Sequence, residues 1–132
     1  MRAILLLVCF LFLGIASHAQ LKWDTQKADL TPRPTDASVD AKFGFVNAGD
    51  SAVTIESVQS SCGCTIPTLA KKTYAPGDRG EILARFTIGD RRGIPSKTVR
   101  VAIQGEQEPV VLTLVVNIPE PARITSAMLV WE

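Results

Sequence analysis

Residues 39–45 read Val-Asp-Ala-Lys-Phe-Gly-Phe, so apolar side chains alternate with polar or small residues along the stretch. Because successive side chains of a β-strand point to opposite faces, this period of two predicts a strand with one buried face. The same period recurs in four further runs, at residues 53–58, 82–88, 98–103 and 112–118. In the first of these runs the alternation slips near Ser57, which predicts a β-bulge.

Turn residues separate these runs at positions 47–50, 75–78, 89–95 and 105–109. Residues 75–78, Ala-Pro-Gly-Asp, place Pro76 before Gly77, which is typical of a type II turn. Five or more short strands with no amphipathic helix of ten residues predict an all-β fold, a β-sandwich, with a barrel as the alternative. Residues 21–24 are expected to form an edge strand and the polar stretch to Asp36 a loop. Residues 67–73 are too irregular to assign.

The N-terminal segment has the organisation of a secretory signal peptide. Arg2 supplies a positive charge, residues 3–15 are apolar, and Ser17-His18-Ala19 carries small residues at the first and third positions. About 13 apolar residues fall short of the roughly 20 that span a bilayer, so no stable membrane span is expected after cleavage. We therefore predict a signal peptide at 1–19 and a single domain at 20–132, located in the periplasm or outside the cell.

The composition of residues 20–132 excludes several classes of function. This segment retains 13 of the 14 Lys and Arg residues and all 13 Asp and Glu residues, so it offers no basic field for nucleic acid. The single histidine, His18, lies in the signal segment. Ser-His-Asp and Cys-His catalysis and histidine-ligated zinc are thus impossible within one mature chain, and we expect a protein that is not an enzyme.

The stretch Ser-Ser-Cys-Gly-Cys-Thr at residues 60–65 is the main candidate site. In an extended strand the Cα atoms of Cys62 and Cys64 would lie roughly 6.6–7 Å apart, at the limit for a disulfide. A bridge therefore requires a bend at Gly63, which glycine permits. Because such a bridge closes a three-residue loop, it stabilises the fold by only about 1.6 kcal/mol.

Other roles for Cys62 and Cys64 remain open at this point. Two thiolates suit a two-coordinate Cu(I) ion, whereas zinc would need four cysteines assembled across a dimer. Thiol–disulfide exchange is a further possibility, although no cationic residue adjoins the pair and no helix N-terminus is predicted there. A structural loop without turnover and a covalent link to a partner are the remaining alternatives. We expect no cofactor, with Cu(I) as the alternative.

Other side chains give weaker indications. Glu106 and Glu108 flank a turn as solvated charges, and the doublet Arg91-Arg92 is too small to bind nucleic acid. Phe43, Phe45 and Phe86 are expected in the core. Trp23 and Trp131, near the two ends, could pair at an edge or face a partner.

With these residues in view, the chain resembles a family of exported bacterial proteins of unknown function that carry a Cys-Gly-Cys-Thr signature with Pro-Gly about a dozen residues later. The resemblance runs through residues 21–23, 43–49, 55–65, 74–82, 86–93 and 97–101. It implies an immunoglobulin-like sandwich of about seven strands, similar to Hydin-type and major-sperm-protein-like modules. Gly63, Thr65, Pro76 and Gly77 correspond to the motif residues that support Cys62 and Cys64.

The family resemblance implies an adhesive or assembly role and supplies no reaction. We therefore expect a non-enzymatic binding or assembly module of the bacterial cell envelope, with an envelope protein as its partner. The alternative is a copper-handling or thiol-redox protein that uses Cys62 and Cys64.

Overall fold

The computed structural model describes residues 21–120, and these form nine β-strands with no helix among them. The signal segment, the 19/20 cleavage site and Trp131 lie outside the described residues. The strands are β1 (Leu21–Trp23), β2 (Lys27–Leu30), β3 (Ser38–Asn47), β4 (Val53–Ser60), β5 (Thr65–Leu69), β6 (Thr73–Tyr74), β7 (Arg79–Thr87), β8 (Ser96–Ile103) and β9 (Val110–Val116).

The strands pack as two open sheets. The first sheet has the order β1-β3-β7-β5 and is antiparallel throughout. The second has the order β2-β9-β8-β4-β6, in which β2 and β9 pair in parallel. Because neither sheet closes on itself, the fold is an immunoglobulin-like β-sandwich and the barrel alternative is wrong.

The core between the sheets consists of the alternating side chains that the sequence indicates. Phe43, Phe45 and Phe86 are at most 1% exposed, which confirms their assignment to the core. The predicted bulge also forms, since the pairing of β4 with β8 shifts register between Ile55 and Ser57. Branched aliphatic residues from both sheets complete the core: Ile55, Ile82, Val99, Val101, Leu112, Leu114 and Val116.

Two segments differ from the sequence-based expectation. The polar stretch after β1, predicted as a loop, contains β2, whose Ala28 and Leu30 pack against the core. The unassigned stretch 67–73 contains most of β5 and the start of β6. These three strands have two to five residues each, too few for a period of two to emerge. With them the sandwich has nine strands, where the resemblance implies about seven.

The buried side chain of Asn47 organises one end of the sandwich. Its amide Nδ2 donates to the carbonyl oxygens of Ser51 and Tyr74, both at 2.9 Å, and its Oδ1 accepts from the N–H of Gly49 at 3.0 Å. The backbone oxygen of Asn47 also accepts from the N–H of Gly77 at 2.7 Å. The side chain thus joins the end of β3 to the turn at 49–51 and to Tyr74 of β6, and satisfies the buried Tyr74 oxygen.

We predict that Asn47→Ala lowers the free energy of unfolding by roughly 2–4 kcal/mol, because the Tyr74 oxygen and the Gly49 N–H lose their partner. Urea unfolding measures the effect. Asn117→Ala, which truncates an exposed asparagine, is the matched control and changes stability by less than about 0.5 kcal/mol. Equal effects of the two substitutions would show that Asn47 is not an organising residue.

Candidate functional site

The Cys-Gly-Cys stretch forms the passage of the chain from one sheet to the other. Strand β4 ends at Ser60 in the second sheet, and β5 begins at Thr65 in the first sheet. Residues 61–64 connect them, and we call this segment the crossover. It lies at the end of the sandwich where β7 finishes, since Thr65 pairs with Phe86.

Backbone hydrogen bonds hold the crossover to both sheets. On the side of the second sheet, Ser61 N–H donates to the Thr98 oxygen at 2.9 Å, and Thr98 N–H donates to Ser61 Oγ at 3.1 Å. On the side of the first sheet, Thr87 N–H donates to the Cys64 oxygen at 2.9 Å. The hydrogen bonding of each sheet therefore continues into the crossover and fixes the positions of its two cysteines.

Cys62 and Cys64 form a disulfide within the crossover. Their Cα atoms lie 5.3 Å apart, inside the usual range and shorter than an extended strand allows, so the chain bends between them as the sequence predicts. Gly63 is exposed and does not adopt a positive φ, and a Cβ built there meets no atom within 4 Å. The bend consequently does not require the conformational freedom of glycine.

The buried hydroxyl of Thr65 lies beneath the bridge. Thr65 is 1% exposed, and its Oγ1 is 3.9 Å from Cys62 Sγ and 4.0 Å from Cys64 Sγ. A second hydroxyl, Ser60 Oγ, donates to the Cys62 carbonyl oxygen at 2.6 Å. The bridge is thus bordered on the protein side by a hydroxyl donor, while Gly63 faces solvent.

As a disulfide, Cys62 and Cys64 offer no thiolate to a soft metal, so Cu(I) binding would require prior reduction of the bridge. Within residues 21–120, no three His, Cys, Asp or Glu side chains cluster closely enough to hold a metal ion. When reduced, Cys62 and Cys64 could therefore supply two sulfur ligands, with no cluster of three metal-ligating side chains in residues 21–120.

Pro76 and Gly77, the other half of the motif, lie at the opposite end of the sandwich. Strand β7 runs from Arg79 to Thr87 and separates them from the crossover by about 26 Å. Asp78 N–H donates to the Ala75 oxygen at 2.9 Å and Gly77 has a φ of 83°, which confirms the predicted type II turn. This turn adjoins Asn47 and contributes no atom to the crossover.

Three aspartates in the described part of the chain have a lowered pKa, and none belongs to the crossover. Hydrogen bonds from the guanidinium of Arg85 lower the pKa of Asp40, and a bond from the Lys71 ammonium lowers that of Asp78. The pKa of Asp36 is lowered by the backbone N–H of Arg33. All three carboxylates form ion pairs that stabilise strands and turns away from the crossover.

Next to the crossover, one edge of the second sheet is uncovered. Strand β6 pairs only with Val53 and Thr54 of β4, and residues 57–60 have a partner on the β8 side only. A groove of about 340 Å³ runs between this edge and β5. Its lining residues are Ile55, Glu56, Ser57, Val58, Pro67, Leu69 and Lys72.

The sequence does not reveal this groove, because residues 67–73, which contain most of β5 and the start of β6, are too irregular to assign. The sequence signal for β5 is the four-residue spacing of Thr65 and Leu69, which share the inward face of this strand. It is weak, since Pro67 interrupts the run.

An immunoglobulin-like sandwich with a disulfide-bridged crossover is the class that this fold and site define. Within that class, the chain belongs to DUF1573, a family described as proteins of unknown function, which matches residues 21–118. No curated protein sequence matches the chain. No helix in residues 21–120 could span a membrane.

Several solved structures share the fold. A protein of unknown function from Porphyromonas gingivalis W83 has a TM-score of 0.65 at 8% identity, over 79% of this chain and 51% of that one. The VesB protease of Vibrio cholerae has a TM-score of 0.57 at 19% identity, over 74% and 32%. WR4, a member of the MSP family from C. elegans, has a TM-score of 0.54 at 10% identity, over 75% and 99%.

At these identities the likeness shows the fold alone, and it confirms the expected similarity to major-sperm-protein-like modules. The chain spans about half the length of the P. gingivalis protein and about a third of VesB.

We predict that replacing both cysteines, Cys62→Ala with Cys64→Ala, lowers the free energy of unfolding by only about 1.6 kcal/mol, because the bridge closes a three-residue loop. Urea unfolding of the wild type and of the double variant, with and without a reductant, measures this. The reduced wild type should match the variant, and the reductant should leave the variant unchanged. Loss of the folded state in either would identify the bridge as a structural staple.

Proposed function

We propose that the protein is an exported, non-enzymatic docking module of the bacterial cell envelope, which binds an extended segment of a partner protein along the uncovered edge of β4. The observation that carries this proposal is the unpaired edge beside an apolar groove. A free sheet edge presents a row of backbone donors and acceptors, which a partner strand can pair with.

The hydrogen-bond register of β4 supports this edge as the docking line. Ser61 N–H is directed towards β8, since it bonds to the Thr98 oxygen. Because the direction alternates along an antiparallel strand, the backbone groups of Val58 and Ser60 point away from β8 towards the uncovered edge, and Val58 also lines the groove. These two residues would pair with the incoming strand.

The groove supplies contacts for the partner's side chains. Val58, Pro67 and Leu69 form an apolar floor, and the exposed Glu56 and Lys72 line the groove with opposite charges. Since alternate side chains of a strand share a face, a partner with apolar residues two apart would place them on this floor. Polar residues at the flanking positions would meet the two charges.

The facing edge of β5 is less suited to a partner strand. Thr87 N–H bonds to the Cys64 oxygen, and the alternation that follows turns the backbone nitrogen of Pro67 outwards. Proline has no N–H to donate, so an added strand would lose a central hydrogen bond there. We therefore propose that the partner strand pairs with β4, while Pro67 and Leu69 of β5 contact its side chains.

Export to the periplasm or beyond is part of the same proposal. Its supports are the sequence pattern of residues 1–19 and the Cys62–Cys64 disulfide, a bond that persists in oxidising compartments. The intact mass of the secreted chain tests it, with Gln20 expected as the first residue. Recovery of the full-length chain in the cytoplasm alone would contradict export.

We predict that Val58→Lys weakens the binding of extended peptides by about tenfold or more, because a charge is placed on the apolar floor. Peptides selected from a displayed library against the wild-type protein serve as probes, and their affinities are measured by calorimetry. Val111→Lys controls for an added surface charge, since Val111 is 44% exposed on β9 and lies outside the groove. Because Val58 also packs against the core, urea unfolding must show that Val58→Lys is folded under the conditions of the binding measurement.

Hydrogen exchange locates the bound peptide in the same experiment. Binding is expected to slow exchange of the Val58 and Ser60 amides. Selected peptides that bind both lysine variants equally, or that protect β1 or β2 instead, would refute docking at β4. Lys72→Glu, at an exposed position, provides a second test that leaves the core untouched.

A further inference from the structure

The environment of the Cys62–Cys64 bridge suggests a chemical role that is separate from strand docking. We propose that this bridge exchanges with a thiol of a partner molecule, and that the buried hydroxyl of Thr65 stabilises the thiolate released in the exchange. The observations behind it are the open side of the bridge at Gly63 and the hydroxyl donor on its protein side.

Thr65 is placed as a donor to sulfur. The residue is 1% exposed, and its Oγ1 lies within 4.0 Å of both sulfur atoms. Among the described residues, the two sulfur atoms are the side-chain partners of this hydroxyl. Disulfide sulfur is a weak acceptor, so the hydroxyl gains little from the closed bridge. A thiolate at either position is a far stronger acceptor, so opening the bridge strengthens a contact already in place.

The two sulfur atoms are not equivalent. Cys64 packs against the hydrophobic core, and its carbonyl oxygen is held by the N–H of Thr87. Cys62 lies on the other side of the exposed Gly63 and is not among the side chains packed against the core. We therefore assign Cys62 as the sulfur that is attacked and Cys64 as the sulfur that leaves.

The exchange is balanced with a thiol as the only co-reactant. The partner thiolate attacks Cys62 Sγ, an S–S bond forms between them, and the Cys62–Cys64 bond breaks with its electron pair moving to Cys64 Sγ. Thr65 Oγ1 donates a hydrogen bond to this thiolate and keeps its proton. Attack of a second thiolate on the mixed disulfide releases the partner as its own disulfide, and the two protein thiolates take up two protons. The bridge gains two electrons and the two partner thiols lose them.

Reduction by excess reduced glutathione, followed by alkylation and mass spectrometry, tests this proposal. Thr65→Val removes the hydroxyl at similar volume, and it is expected to slow reduction about tenfold, because a hydrogen bond to a charged group is lost in the transition state. Thr65→Ser keeps the hydroxyl and is expected to restore the wild-type rate. Trapped intermediates should carry glutathione on Cys62 and the alkyl group on Cys64.

Each result bears on the proposal. Equal rates for wild type and Thr65→Val, or a Thr65→Ser rate as slow as that of the valine variant, would remove the role of the hydroxyl. Glutathione found mainly on Cys64 would overturn the assignment of the attacked sulfur. A bridge that glutathione reduces only after urea unfolds the protein would overturn exchange altogether, whereas loss of peptide binding in Val58→Lys leaves it unaffected.

Discussion

The pairing of β5 with β7, and not with β4, is the constraint on which the rest of this structure depends. The hydrogen bond from Thr87 N–H to the Cys64 oxygen starts that ladder, so the chain must pass between the sheets immediately after Ser60. The passage creates the bridged crossover. It also leaves residues 57–60 of β4 without a neighbour on one side, because the two-residue β6 is too short to cover them.

The uncovered edge, proposed as the docking line, and the bridge are consequently neighbours joined through one residue. Ser60 ends β4, where its backbone points away from β8 at the uncovered edge, and its Oγ donates to the Cys62 oxygen. The bridge adds little to stability because it closes so short a loop, whereas the Asn47 hydrogen bonds at the other end join three segments. Stability and the proposed chemistry therefore reside at opposite ends of the sandwich.

The sequence predicted those parts of the fold where a long strand buries one face. Residues 39–45 show the period of two over seven positions, and their inward side chains are core residues. Strand β2 escaped notice because four residues carry too little pattern. The site was predicted in part: the spacing of Cys62 and Cys64 made a disulfide one of several open roles and required a bend if the disulfide formed. The position of Thr65 beneath the sulfurs depends on how β5 pairs across the sheet.

The central claim is that the bridge is a local element, which can be reduced while the rest of the fold stays intact. The most direct test is hydrogen exchange of the oxidised and the reduced protein, measured amide by amide. The account predicts that reduction changes protection only in residues 60–65 and at their partners Thr87 and Thr98. Amides of β3, β7, β8 and β9 should keep their protection. Loss of protection throughout both sheets on reduction would contradict the account and make the bridge a condition of folding.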